Sequence, residues 1–298
     1  MIYLVVVSIL WAFSFGISKV YLAGVDAFFV AAARMALAFL VFLPFLRTKG
    51  LKGKNWARLM LIGAIQYGVM YQAYTYCFSI LKAYEVAIFS VFTPLYVVMF
   101  DAIAQRQWSV RVFLCALLSV LGAAVIEYSP SNPVDLWKSF LLMQLANLAF
   151  AFGQVDYKYW RKAHPQTRDR DIFAVIYAGA FAFTLLSSAV FTDWSTLELR
   201  PSHYGALLYL GLGASGLGLF LWNVGATQTS AGALAILNNL LVPLGVVVSL
   251  LFFSEVKDLS LQNGLRLFIG TVFIALALFA NERWAVPAEE RKERSKCL

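Results

Sequence analysis

The chain has 298 residues; 61% are hydrophobic, only 13% are charged, and the formal net charge is +8. Soluble domains run close to half apolar and a quarter charged, so these proportions exclude a soluble globular fold and put most of the chain in lipid. The basic residues gather in a few short segments between apolar runs, which fits anionic headgroups and membrane topology better than nucleic acid.

A bilayer core takes about 20 helical residues. Ten spans of that kind are predicted, near 2–18, 27–46, 58–79, 83–103, 110–128, 138–157, 172–192, 203–223, 231–253 and 264–283. The first opens at Ile2 with no basic segment before it, so it reads as a permanent span rather than a cleaved leader. It carries Trp11 and Phe15. Span 2 holds Arg34, in Ala31-Ala32-Ala33-Arg34-Met35-Ala36. An arginine at that depth is costly and is normally paired or turned to a cavity. Two readings stay open. The guanidinium grips a substrate carboxylate through two parallel bonds, or Arg34 is structural, paired with Glu85 of span 4 or snorkelling to headgroups. Glu85 is also the candidate for proton coupling.

Span 3 reads Gln66-Tyr67-Gly68-Val69-Met70-Tyr71-Gln72-Ala73-Tyr74, too polar to face lipid all round. Span 4 contains Pro94. Span 6 carries Gln144 and Asn147, three residues apart and so on one helix face, with Gln154 further along. The stretch 201–254 has no Asp, Glu, Lys or Arg and is too long for one helix. It divides near Asn223–Ser230, where turn residues cluster. Span 8 then ends in Trp222-Asn223, and span 9 carries Asn238-Asn239 and Pro243. Each amide alone could be glue between helices. As a set over spans 1, 3, 6, 8 and 9, the amides and aromatic residues predict a central cavity for a small molecule with a polar head and an apolar body.

Three tempting motifs fail. Gly211-x-Gly213-x-x-Gly216 matches a dinucleotide fingerprint, but it lacks the preceding strand and the acid about 20 residues on. Gly213-Ala214-Ser215-Gly216 matches intramembrane serine proteases. A serine nucleophile needs a base in reach, and His203, on the same helix, lies about 18 Å away along the axis. Cys77, Cys115 and Cys297 are scattered without C-x-x-C, so no disulfide framework, metal site or cofactor is expected. No catalytic residue is assigned, and no ATP-binding motif occurs.

Ala12-Phe13-Ser14-Phe15-Gly16 in span 1 returns as Ala149-Phe150-Ala151-Phe152-Gly153 in span 6, 137 residues later. Phe92-Thr93-Pro94-Leu95-Tyr96-Val97-Val98 in span 4 returns as Leu241-Val242-Pro243-Leu244-Gly245-Val246-Val247 in span 9. Five spans separate the copies, an odd number, so the second half is inverted. Inverted repeats frame one midplane site in many secondary transporters. The expectation is an all-α integral membrane protein with ten transmembrane helices in two inverted five-helix repeats, 1–130 and 131–284, and a basic tail at 285–298. Pro94 and Pro243 should kink their helices beside the site, with Gly16 and Gly153 as candidate gate positions. The positive-inside rule puts Arg47, Arg106, Arg111, Arg161, Arg168, Arg283 and their neighbours in the cytoplasm. Only Lys19, Lys82, Lys138, Arg200 and Lys257 remain outside. Both termini are therefore expected in the cytoplasm.

Ten spans, an inverted repeat, an arginine in span 2 and prolines in spans 4 and 9 resemble the EamA type of the drug/metabolite transporter superfamily. Narrower stretches are similar to its bacterial inner-membrane biotin transporters. These are Leu10-Trp11-Ala12-Phe13-Ser14-Phe15, Phe42-Leu43-Pro44-Phe45-Leu46-Arg47-Thr48, Gly68-Val69-Met70-Tyr71, Thr93-Pro94-Leu95-Tyr96, Ala214-Ser215-Gly216, Trp222-Asn223-x-Gly225-Ala226-Thr227-Gln228 and Asn238-Asn239. The resemblance implies alternating-access uptake of biotin across the inner membrane; membrane lipids are the other expected partner, and no obligate protein partner is evident. The residues are compatible. The candidate binding set is Trp11, Phe15, Arg34, Gln66, Tyr71, Tyr74, Asn147, Gln154, Trp222, Asn223, Asn238 and Asn239. Chemistry alone equally admits an importer or exporter of amino acids or other small metabolites. An intramembrane enzyme lacks its base.

Overall fold

The computed structural model describes residues 1–47, 53–80, 86, 89–127, 136–248, 251–252 and 261–284. Glu85, the repeat boundary expected at 130 and the tail 285–298 lie outside the described residues. Among the described residues all regular structure is helical. Span 1 runs Ile2–Tyr21. Span 2 runs Ala27–Phe42 and ends in a 3-10 turn, Leu43–Phe45, set by Pro44. Spans 5, 6 and 7 are Val110–Glu127, Leu136–Ala163 and Asp169–Phe191. Span 10 is Leu261–Trp284. Six helical stretches are long and apolar enough to cross a bilayer, among the described residues. Large apolar side chains such as Leu40, Leu186 and Phe268 are exposed on the outside, as lipid-facing residues must be.

The turn between spans 1 and 2 needs its glycine, because Gly24 has φ +82°, a region L side chains rarely adopt. Asp26 then caps span 2, accepting from the Phe29 N–H at 2.8 Å. Between spans 8 and 9 the turn is shorter than predicted. The helix continues through Trp222 and Asn223 to Thr227, and span 9 starts at Ala231, capped by Ser230.

Spans 3 and 8 share an unusual interior. Span 3 is Gly53–Gly63, a π-helical stretch Ala64–Val69, then Met70–Ile80. Span 8 is Pro201–Leu208, a π-helical stretch Tyr209–Leu217, then Gly218–Thr227. Spans 4 and 9 are also alike. Both are interrupted, at residues 91–92 and 239–240, and resume as Thr93–Gln105 and Leu241–Val248. The prolines do not kink continuous helices as predicted. They sit in the first turn of the resumed segment, where proline is best tolerated. Pro94 cannot donate to the Ser90 carbonyl one turn back, and the Thr93 hydroxyl bonds that oxygen at 2.9 Å instead.

Packing follows the repeat. Span 2 lies against span 7, 4 against 9, and 5 against 10. Span 3 packs on 7 as 8 packs on 2, 6 on 4 as 1 on 9, and 6 on 3 as 1 on 8. Each of these contacts recurs when every number moves by five. The chain is an all-α, multi-pass integral membrane protein of ten transmembrane helices in two inverted five-helix repeats.

Candidate functional site

A cavity of about 590 Å³ lies between the two halves, lined from spans 1, 2, 3, 4, 6, 8 and 9. One end reaches the turn Leu22–Asp26 between spans 1 and 2. The fold brings seven of the twelve predicted residues to its wall: Trp11, Phe15, Arg34, Tyr71, Tyr74, Asn147 and Asn238. Gln66, Gln154, Trp222, Asn223 and Asn239 are not in the wall; they bond behind it.

Arg34 is 5% exposed. Its Nε donates to the Ser215 hydroxyl at 3.0 Å and its Nη2 to the Tyr71 hydroxyl at 2.9 Å. Those two hydroxyls are 3.1 Å apart, and the guanidinium carbon sits 4.5 Å from the centre of the Tyr71 ring, a cation–π contact. Among the described residues Arg34 has no carboxylate partner. Its charge is held by neutral donors and acceptors and faces the cavity.

A second polar group comes from the break in span 4. The interruption frees the Phe89 carbonyl, and Asn147 Nδ2 donates to it at 2.7 Å. Gln144 Nε2 donates to the same oxygen at 3.2 Å. Asn147 Oδ1 accepts from the Thr93 hydroxyl at 3.2 Å. Asn239, in the matching break of span 9, donates to the Val91 carbonyl at 3.2 Å. The amides of spans 6 and 9 thus satisfy backbone that the breaks leave unpaired. Asn147, Thr93 and Ser90 line the cavity.

The floor, opposite the span 1–2 turn, is aromatic. Trp11 packs on Trp222 with ring centres 4.8 Å apart and on Phe150 at 5.9 Å. Trp222 Nε1 donates to Gln154 Oε1 at 2.9 Å, and Asn238 Nδ2 reaches the same oxygen at 3.4 Å. Beyond the floor, Lys158 donates to the Thr229 carbonyl at 2.6 Å, Tyr159 to Asp101 at 2.7 Å, and Arg58 pairs with Asp156. The cavity is therefore open toward the span 1–2 turn and sealed toward the other face.

Gln66 and Asn223 form a reciprocal amide pair, at 2.8 and 3.1 Å, both fully buried. They join the π-helical stretch of span 3 to span 8. Gly153 makes room for it, since a Cβ there would stand 2.1 Å from the Gln66 Cβ. That gives the glycine of the second Ala-Phe-x-Phe-Gly copy a packing reason. Replacing Gln66 by leucine strands the Asn223 amide and is expected to cost about 1–3 kcal/mol. The double replacement Gln66→Leu with Asn223→Leu is expected to recover part of the loss. Thermal unfolding in detergent of the three variants measures both.

Ser215, Thr93, Ser90 and Phe150 are site residues outside the predicted set. The sequence motif offers Ser215 only as a nucleophile, and its partner Arg34 lies 181 positions away.

The EamA-like transporter family matches residues 1–128. The chain is 39% identical over 281 residues to a probable biotin transporter of Pseudomonas aeruginosa, covering 94% of this chain and 96% of that one. It is 39% identical to the biotin transporter of Salmonella typhimurium and 38% to that of Escherichia coli K12, each over 95% of this chain and 93% of the relative. A crystal structure of another protein, 14% identical, superimposes with a TM-score of 0.77 over 96% of this chain and 98% of that one; it shares the fold. By its identity to these relatives over nearly their whole length and the family match over residues 1–128, the chain belongs to the EamA-like transporter family.

Proposed function

We propose that this protein is a secondary transporter that takes up biotin across the bacterial inner membrane by alternating access. The observation that carries the reading is the 38–39% identity to curated biotin transporters over nearly their whole length. The cavity supports it. Biotin has a carboxylate at one end of a flexible chain and a ureido group, two N–H donors and one carbonyl, on a fused ring at the other. Arg34 would take the carboxylate. Asn147, Thr93 and Asn238 would meet the ureido group. Trp11, Phe15, Tyr74 and Phe150 would flank the ring.

With both termini in the cytoplasm, as the basic residues direct, the open end of the cavity faces outward and the Trp11–Trp222 floor closes the inner path. Substrate would enter past Ala23 and Asp26. The halves would then rock about the breaks at 91–92 and 239–240, where Pro94 and Pro243 keep the helices divided. In this scheme no covalent bond forms or breaks.

Expression in a bacterial strain that lacks its own importer is expected to restore growth on limiting biotin; absence of rescue by well-expressed protein contradicts the reading. The orientation is tested separately. Ala23 is exposed at the cavity mouth, so Ala23→Cys is expected to react with a membrane-impermeant maleimide added outside cells. Labelling only after the membrane is permeabilised reverses the assigned topology.

A further inference from the structure

The contacts around Arg34 go beyond holding a charge, because they select which of its edges meets the substrate. A guanidinium is a planar fork with two edges that can grip a carboxylate. Nε and Nη2 share the side edge; Nη1 and Nη2 share the end edge. Here Nε is spent on Ser215 Oγ and Nη2 on the Tyr71 hydroxyl. The side edge is therefore closed. Among the described residues Nη1 makes no hydrogen bond, which leaves the end edge for a ligand.

Ser215 can act as a fixed acceptor because its own backbone is pinned. It lies in the π-helical stretch Tyr209–Leu217, where the wider turn takes carbonyls off the regular ladder. Trp11 Nε1 donates to the Ala214 carbonyl at 2.9 Å. Tyr177 donates to the Ser215 carbonyl at 2.8 Å and the Gly216 carbonyl at 2.6 Å. Three successive carbonyls are thus bound by side chains from spans 1 and 7. Ser215 itself is fully buried. π-Helical insertions often mark functional positions, and this one delivers a hydroxyl to Arg34.

We infer that Ser215 is a positioning residue that holds Arg34 with its end edge toward the cavity, and that preference for a carboxylate over the matching amide depends on it. The inference rests on the proposed carboxylate role of Arg34. An amide offers one acceptor oxygen and presses its NH₂ donors against the second guanidinium N–H. Loosening Arg34 therefore weakens the acid more than the amide.

The test measures equilibrium binding of two matched pairs, biotin with biotinamide and hexanoate with hexanamide, to the full-length protein in nanodiscs. Wild type, Ser215→Ala, Ser215→Thr and Tyr71→Phe are compared. Wild type is expected to favour each acid. Ser215→Ala is expected to narrow the acid-to-amide ratio about tenfold, mainly through weaker acid binding, and Ser215→Thr to restore it. A Ser215→Ala variant that binds acid and amide more weakly by the same factor, or that keeps the wild-type ratio, overturns the inference while leaving biotin uptake standing. If wild type binds no biotin but shows a Ser215-dependent preference for hexanoate, the biotin reading fails and the inference holds. No acid preference in either pair overturns the inference together with the carboxylate role of Arg34. The Tyr71→Phe variant keeps the ring under Arg34 and removes one side-edge contact, so it is expected to narrow the ratio in the same direction; an unchanged ratio there contradicts a role for the shared edge.

Discussion

Arg34→Ala is expected to lower the kcat/KM of biotin uptake by about a hundredfold or more, the scale for removing one partner of a buried, hydrogen-bonded charge pair. The variant should still fold. Among the described residues its hydrogen-bond partners are neutral, Tyr71 and Ser215, themselves 3.1 Å apart, so the substitution strands no buried charge there. Arg34→Lys keeps the charge but loses the planar fork, and only part of the loss is expected to return. Initial rates of labelled biotin uptake, normalised to protein in the membrane, give both values. Wild-type uptake by Arg34→Ala would remove the carboxylate role.

The second large effect is on stability and concerns spans 3 and 7. A Cβ at Gly63 would lie 1.8 Å from the Ile176 carbonyl oxygen, and one at Gly179 would lie 2.0 Å from the Met60 carbonyl oxygen. Each glycine admits the other helix's backbone, the close approach by which small residues bind helices in lipid. A carbonyl cannot turn away as a side chain can, so the helices must separate. Gly179→Ala is expected to destabilise by about 3 kcal/mol, the upper end for overpacking. Gly245 is the control. Nothing lies within 4 Å of its added Cβ, and alanine there is expected to gain about 0.5–1 kcal/mol from backbone entropy and helix propensity. Thermal unfolding in detergent compares the two; equal effects would refute the packing argument.

Hydropathy and the two echoes predicted the ten spans, their inverted pairing and the position of Arg34, because lipid imposes a length and a polarity that composition reveals directly. The prolines marked the weak points of spans 4 and 9, though not their form. Whether proline bends a helix or starts a new one depends on what satisfies the freed carbonyls, and those partners, Asn147 and Asn239, come from distant segments. The π-helical stretches of spans 3 and 8 have no compositional mark. Their causes are tertiary: Trp11 and Tyr177 reaching the carbonyls of span 8, and Asn223 pairing with Gln66. For the same reason the amide set could be assembled but not sorted. Asn147 and Asn238 reach the cavity, while Gln66 and Asn223, 157 positions apart, bond each other. Ser215 shows the limit most sharply. Its surrounding motif suggested a nucleophile, and its neighbours make it a support for Arg34.

Reconstitution with labelled biotin decides the account. Purified protein in liposomes preloaded with unlabelled biotin should drive transient accumulation of external labelled biotin by counterflow. That accumulation should saturate with substrate and be almost absent with Arg34→Ala. Accumulation no greater than in protein-free liposomes, from protein that is folded and inserted, would contradict it.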